Sequence, residues 1–318
     1  MNSLGLNLIL KMGCLCSKET ITVNDKKYNI LEHLADGGFS SVYLVEDALT
    51  RRKYAIKKVI CHSAEDQQIA AKEIEYHTIL KHVNIIECID STSKGAADPV
   101  INATSQVLLV LPYYHKGTLA YELEKRSKTN NYFSPLDVLN IFQQICEGVK
   151  VFHDVKPEPL AHRDLKTANI LLDDTLTPII MDLGSVSQAR VKVCGAQEAQ
   201  TLQDIAAERC SMPYRAPELF NVESYCMIDE RTDIWSLGCI LYALCYFKSP
   251  FEAVYERGDS VALAVISANI TFPENAPYNE DIQNLIQSML KTNPMERPYI
   301  YSVIENVHDV ISKLEGRV

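Results

Sequence analysis

No apolar run in this 318-residue chain approaches the roughly 20 residues that cross a bilayer as a helix. Residues 4–10 come nearest at the start. That stretch is too short to span, and no basic segment precedes it, so it does not read as a secretory signal. The ten cysteines include no C-x-x-C pair and no histidine partners at zinc-site spacing. A disulfide framework is not expected in a chain this long, so a reducing compartment is expected. Positive charge is in deficit, with 31 Lys and Arg against 41 Asp and Glu and a net charge of −10. That balance disfavours a nucleic acid as partner. Internal repeats and low-complexity linkers are also missing.

What is present suits a folded protein. Hydrophobic residues make up 47% and charged residues 23%, enough for a sizeable core in one large domain or two lobes. The charge is uneven. Residues 1–60 carry nine basic against six acidic side chains, which leaves 22 basic and 35 acidic for the remainder. So small an excess fits either contact with anionic lipid or ordinary solvated surface.

The N-terminal third reads as strands. "YNILEHLA", "VYLVED" and "KYAIKKVI" are β-branched and aromatic runs separated by Gly or charged turns, and "SQVLLVLPYY" is another apolar strand. Between them, residues 66–81 place Ile69, Glu73, Tyr76 and Leu80 at helical spacing. After Gly117 the pattern is mostly helical, as in "DVLNIFQQICEGVKVFH" and "DIWSLGCILYALCY". The expected fold class is α+β, with a small β-rich lobe before a larger α-helical lobe.

Several motifs then occur in one order. "LADGGFSSV" is an imperfect glycine loop whose Gly37 and Gly38 allow close backbone approach to phosphates; a plain hairpin turn would read the same. "YAIKK" presents Lys57 on an alternating strand, with Glu73 following on a helix. "AHRDLKTANILL" matches H-R-D-L-x-x-x-N at His162, Arg163, Asp164, Leu165 and Asn169. "MDLGS" supplies Asp182. "APE" ends at Glu218, "DIWSLG" begins at Asp233, and "ERP" holds Arg297.

On these residues the chain resembles the eukaryotic protein kinases, over about residues 28–313. The resemblance implies a bilobal protein kinase fold, with an N-lobe of about 28–111 and a C-lobe of about 115–313. It implies ATP, with Mg²⁺ or Mn²⁺, and protein substrates bearing Ser or Thr hydroxyls. Carried over position by position, Asp164 accepts or orients the hydroxyl proton, and Lys166 neutralises charge on the transferring phosphoryl group. Lys57, paired with Glu73, reaches the α- and β-phosphates. Asn169 and Asp182 hold the metal. Gly37, Gly38, Val42, Ala55, Leu111, Tyr114 and Leu171 surround the nucleotide, with Leu111 as gatekeeper. Pro112 falls where the hinge needs a carbonyl but no N–H. Asp233 braces the catalytic loop, Glu218 and Arg297 form a structural ion pair, and Ser211 orders Asp164 and Lys166. Lys166 within "HRDLKTAN" is the serine/threonine pattern. Leu183 stands where the family has phenylalanine, and His77 occupies a position usually apolar, where a packed core histidine is expected.

Two rival classes share the fold. An ATP-independent scaffold is opposed by the presence of Lys57, Glu73, Asp164, Asn169 and Asp182. A small-molecule phosphotransferase is opposed by "APE" and "DIWSLG".

Between Asp182 and Glu218, "EAQTLQDIAAERC" (198–210) favours helix. Thr201 and Asp204 have capping-box spacing, and Leu202, Ile205 and Ala206 form one apolar face. A pre-ordered segment that needs no upstream kinase is one reading. Pairing of Arg163 with a phosphorylated Ser or Thr is the other.

"LADGGFS", "YHKGTL", "MDLGS", "TLQDIAAERC", "MIDERTDIWSLGC" and "GDSVALAV" are similar to the Numb-associated kinases, and to a myristoylated and palmitoylated branch among them. That likeness implies constant activity on the cytoplasmic face of Golgi and other internal membranes, plus cytoplasm, in secretory trafficking. "MGCLCS" from Met12 fits it. Gly13 has the myristoylation context, and Cys14 and Cys16 would add the second, thioester-linked anchor that one myristate requires. Residues 1–11 are then expected to be an upstream extension and residues 12–27 the lipidated segment.

Overall fold

A computed structural model of the chain describes residues 19–38, 40–98 and 103–316. Gly13, Cys14 and Cys16 lie outside them. The chain opens with strands β1 (Thr20–Val23), β2 (Lys26–Asp36), β3 (Ser40–Asp47) and β4 (Lys53–Cys61). Helix α1 (Ala64–Ile79) follows, then β5 (Asp90–Lys94) and β6 (Ser105–Pro112). These strands form one antiparallel sheet in the order β1-β2-β3-β4-β6-β5. The sheet therefore starts at Thr20, within the segment expected to belong to the lipidated terminus.

Strand alternation gives the sheet two apolar faces. Val23, Tyr28, Val45, Ile56, Leu108 and Val110 pack together on one. Cys61, Val107 and Leu109 cluster on the other with Ala70 of α1 and the partly buried Leu111. A capping box begins α1: Asp66 N–H donates to Ser63 Oγ, and the Asp66 carboxylate takes the Ser63 N–H. The buried face of α1 is Ala70, Glu73 and His77, with Leu80 as C-cap. Ile69 and Tyr76, expected on that face, are only partly buried.

The larger lobe is helical. Helices α2 (Leu119–Ser127) and α3 (Pro135–His153) lead to short strands β7 (Leu160–Ala161), β8 (Ile170–Leu172), β9 (Pro178–Ile180), β10 (Ser187–Gln188) and β11 (Val191–Cys194). Then come α4 (Ala196–Arg209), β12 (Tyr225–Ile228), α5 (Arg231–Tyr246), α6 (Glu252–Glu256), α7 (Val261–Ser267), α8 (Glu280–Met289) and α9 (Ile300–Leu314). Strands of two to four residues are too short to show periodicity, which is why the sequence reads this half as helical.

Ser134 caps α3 and Pro135 occupies its first turn. α5 is buried on nearly every side, as an apolar helix at the centre of a lobe must be. α3, α5, α8 and α9 share one core with Leu183, Tyr214 and Trp235. Gly148 lets α3 approach β9: a Cβ there would lie 2.8 Å from Ile180 Cδ1 and 3.2 Å from the Asn84 carbonyl oxygen. The architecture is the expected α+β fold, with a β-rich N-terminal lobe and a helical C-terminal one. Among the described residues no helix is long and apolar enough to cross a membrane.

Candidate active site

β4 is the central strand that aims the site lysine. In register, Lys57 faces Val42 and Leu109, and Ala55 faces Leu44 and Leu111. Val42, Ala55, Leu111 and Lys57 therefore share one face of the sheet. Lys57 Nζ donates to Glu73 Oε1 at 2.7 Å and to Asp182 Oδ1 at 2.8 Å. Glu73 is almost fully buried on α1, so its pairing with Lys57 fixes that helix against the sheet. Asp182 comes from the other lobe and adopts a left-handed backbone, φ +63°.

The loop before β8 holds the second cluster. Asp164 Oδ2 takes Lys166 Nζ at 2.8 Å and Asn169 Nδ2 at 3.0 Å. Asp164 Oδ1 takes the Ser211 N–H at 2.8 Å, and Lys166 Nζ also donates to Ser211 Oγ at 2.7 Å. One lone pair on Oδ1 is left for a further donor. The Asn169 amide nitrogen is spent on Asp164 Oδ2 and the Asp164 carbonyl oxygen. Its side-chain oxygen is what remains.

Asp233, at the start of α5 and 1% exposed, braces this loop. Its carboxylate accepts the His162 N–H at 2.8 Å, the Arg163 N–H at 3.0 Å and His153 Nε2 at 3.1 Å. Arg163 has φ +69°, a left-handed turn that L-residues disfavour. The two backbone bonds to Asp233 hold it there. Glu218 and Arg297 form a two-pronged pair at 2.7 and 2.6 Å, with Arg297 also donating to backbone carbonyls at Lys291, Thr292 and Arg231.

A lysine shared by a helix carboxylate and a carboxylate of the opposite lobe, facing an Asp–Lys–Asn loop, is an arrangement that handles phosphate groups. A family model for the protein kinase domain matches residues 28–308. Serine/threonine-protein kinase 16 of Rattus norvegicus and of Homo sapiens are each 40% identical over 287 residues, covering 90% of this chain and 91% of theirs. Serine/threonine-protein kinase ENV7 of Saccharomyces cerevisiae is 29% identical, covering 93% of this chain and 96% of its own.

The chain belongs to the protein kinase family.

It is a serine/threonine protein kinase, and family membership brings use of ATP and a divalent cation. The residues expected beside the nucleotide come from both lobes. Gly37 and Gly38 lie between β2 and β3, where the Gly37 N–H donates to the Ser40 carbonyl. Pro112 ends β6, and Tyr114 lies just beyond it with its carbonyl bound by the Gly117 N–H. Leu171 is on β8, two residues after Asn169. A cavity of about 690 Å³ lies elsewhere, between α1 and α4, with Ile69, Tyr76, Ile79, Arg163 and Ile205 in its wall. Val42, Ala55, Leu111 and Leu171 do not line it, so it is separate from the face expected to hold the nucleotide.

Electrostatics follow the pairings. Burial alone would raise the Asp182 carboxyl, but the Lys57 charge and hydrogen bond outweigh it and hold the group below its ordinary value. Burial raises Glu73, with Lys57 pulling the other way. Lys57 is held above the usual lysine range: burial opposes its charge, and the two carboxylates overcome that. Asp233 behaves like Asp182, with burial outweighed by His153 and the backbone donors. His77 is buried, its Nδ1 3.2 Å from the Ile86 carbonyl oxygen, and burial drives it down to about 4. It is a neutral core histidine. Leu183 is fully buried in the core that Leu80 and Tyr76 join, beneath α1.

The segment after Asp182 is ordered by helix α4, as expected near 198–210, but its start differs. Gly195 precedes the helix with φ +126°, and Glu198 Oε2 accepts the Cys194 N–H at 2.8 Å. Thr201 is therefore interior. Its hydroxyl donates back to the Gln197 carbonyl, and Asp204 takes Gln200 instead. The buried face is Ala199, Leu202, Ala206 and Cys210; Ile205 is 45% exposed. Arg163 donates to the Gln188 and Ala189 carbonyls and to Thr232 Oγ1. Sequence reasoning missed His153, the Arg190–Glu230 pair and the Thr167–Tyr214 hydroxyl contact, none of which has a local motif.

Proposed function

We propose that this kinase is active without phosphorylation of its activation segment, transfers the γ-phosphoryl of Mg²⁺-ATP to Ser or Thr, and works at a membrane through a lipidated terminus. The observation that carries the first part is the state of Arg163. Its guanidinium is taken up by two backbone carbonyls and a hydroxyl, so the segment is already fastened where a phosphate would otherwise tie it. α4 and the Arg190–Glu230 pair, at 3.1 and 2.8 Å, add further order.

The donor set suits a hard cation of the Mg²⁺ type. Asp182 offers a carboxylate and Asn169 a carbonyl oxygen. No group of three or more His, Cys, Asp or Glu stands ready for a metal among the described residues. Mg²⁺ commonly uses one or two protein ligands beside phosphates and water. When bound, it would neutralise phosphate charge. This chain's own residues do the rest. Lys57 positions the phosphates, the free lone pair of Asp164 orients the acceptor hydroxyl, and Lys166 meets the charge that develops on the moving phosphoryl group. Membrane attachment, with Golgi and secretory work, is supported by sequence alone: Gly13 behind Met12, and Cys14 and Cys16 beside it.

Phosphatase-treated protein is expected to keep most of its turnover, while Lys57→Met and Asp182→Ala each lose it by about 100-fold or more. Near-total loss on dephosphorylation overturns the first part, and turnover unchanged in both variants overturns the chemistry. Myristate labelling of Gly13, abolished along with membrane recovery by Gly13→Ala, tests the anchor.

A further inference from the structure

Thr167 and Tyr214 touch through their hydroxyls at 3.0 Å, and both side chains are buried. Thr167 begins the short turn Thr167–Asn169, directly between Lys166 and the metal-side Asn169. Tyr214 ends another short turn, Met212–Tyr214, whose N-cap is Ser211. Ser211 is the residue that binds both Asp164 and Lys166. The two turns therefore meet at two points, Ser211 on one side and Tyr214 on the other.

The second turn is itself anchored. Ser236 Oγ of α5 donates to the Tyr214 carbonyl at 2.8 Å, and Ser249 Oγ donates to the Pro213 carbonyl at 2.7 Å. The Tyr214 N–H closes back on the Ser211 carbonyl at 3.0 Å. A segment fixed to α5 and tied by a phenol to the catalytic loop sets the height of that loop against Ser211. Without the hydroxyl contact, one of the two points is lost, and Lys166 and Asp164 are held to Ser211 by that residue alone.

We infer that the Thr167–Tyr214 hydroxyl pair is a positioning latch that keeps Asp164, Lys166 and Ser211 in register for phosphoryl transfer. Neither residue touches the reacting atoms, and the effect passes through Ser211 and Lys166. Burial raises the Tyr214 phenol above its ordinary value, so the hydroxyl keeps its proton across the working pH range. The inference rests on the phosphotransfer reading above.

The test uses the full chain with Mg²⁺-ATP and myelin basic protein as phosphoacceptor, with single-turnover transfer, steady-state constants and melting temperature measured together. Tyr214→Phe and Thr167→Val should each slow transfer about three- to tenfold, the size of one neutral hydrogen bond. KM for ATP should change less than twofold, because neither residue lies on the nucleotide face. Thr167→Ser keeps the hydroxyl and should restore most of the rate. The double variant should be no slower than the worse single variant, since both remove the same contact. A lower melting temperature with an unchanged transfer rate overturns the latch, as does additive slowing in the double variant. Should Tyr214→Phe fail to fold, the isosteric Thr167→Val and its serine rescue decide the matter. Loss of all turnover in the parent protein would instead refute the phosphotransfer reading.

Discussion

Asp233→Asn isolates what the catalytic loop gains from one buried carboxylate. Asp233 Oδ1 serves the Arg163 N–H, and Oδ2 serves the His162 N–H and the His153 ring. Asparagine has one oxygen, so its amide nitrogen must face a donor. The cheaper orientation keeps the two bonds at the Oδ2 position and leaves the Arg163 N–H unpaired. An unsatisfied buried N–H costs about 1–3 kcal/mol, and the two surviving bonds lose their charge assistance, about 1 kcal/mol each. The sum, about 3–5 kcal/mol, matches the cost of removing one member of a buried charged pair. Thermal scanning should show a fall of about 4–8 °C. The lost bond is also one of the two that hold Arg163 at φ +69°, a conformation costing roughly 1–2 kcal/mol. Relaxation of that turn displaces Asp164, the next residue, and kcat should drop by about tenfold. The pH dependence gives an independent check. The Asp233 carboxyl is held below its unfolded value of about 3.9. Its contribution is therefore complete above that pH and is lost as pH falls through the lower, folded value. The melting gap between parent and variant should be constant near neutrality and close below about pH 4. A variant that melts within about 2 °C of the parent and keeps its kcat would refute the reasoning.

Gly148→Ala puts a methyl 2.8 Å from Ile180 Cδ1 and 3.2 Å from the Asn84 carbonyl oxygen, so the Ile180 side chain, the chain at Asn84 or α3 must give; calorimetry should show about 1–3 kcal/mol of destabilisation. His77 has a folded value of about 4 against 6.5 unfolded, set first by burial, with Lys57 and Lys81 also disfavouring the proton and Asp182 favouring it. Because the folded value is the lower one, His77 stabilises the fold fully above about pH 6.5 and loses about 3 kcal/mol as pH falls to about 4. His77→Leu should flatten stability across that window, and an NMR titration should find the ring of the parent protein neutral from pH 5 to 8.

Legibility from sequence followed from how local each feature is. Asp164, Lys166 and Asn169 lie within six residues, and the chemistry fixes their spacing, so the string alone identifies them. Lys57 and Glu73 were legible because one sits on an alternating strand and the other on a periodic helix. His153 and Tyr214 were not. Each touches the site through one atom, across 80 and 47 positions, and a lone His or Tyr in an apolar stretch carries no pattern. On α1 the periodic positions Glu73 and Leu80 are buried as read, and His77 is the core histidine expected, while Ile69 and Tyr76 on the same reading are only partly buried. Glu73 and His77 are polar residues whose burial depends on Lys57 and the Ile86 carbonyl.

The two capping boxes show the limit most clearly. Ser63–Asp66 and Thr201–Asp204 have the same spacing and the same chemistry, yet only the first is a cap. A side chain can cap only if the backbone before it is held out of helix. Before Ser63 that condition is met by β4, whose pairing with β6 runs to Cys61, so the helix has no earlier place to start. Before Thr201 the β11–β12 register ends at Cys194, and a last backbone bond runs from the Gly195 N–H to the Ser224 carbonyl. Gly195 takes a conformation only glycine adopts readily, Glu198 closes the first turn, and the helix begins five residues ahead of Thr201. Its hydroxyl is then left to bond the carbonyl one turn back. The same early start lengthens α4 enough to bring Ala199 and Leu202 onto the β11–β12 pair as well as Ala206 onto Leu219 and Ile228. The order of the activation segment is therefore set less by the Thr201–Asp204 spacing than by Gly195 and Glu198.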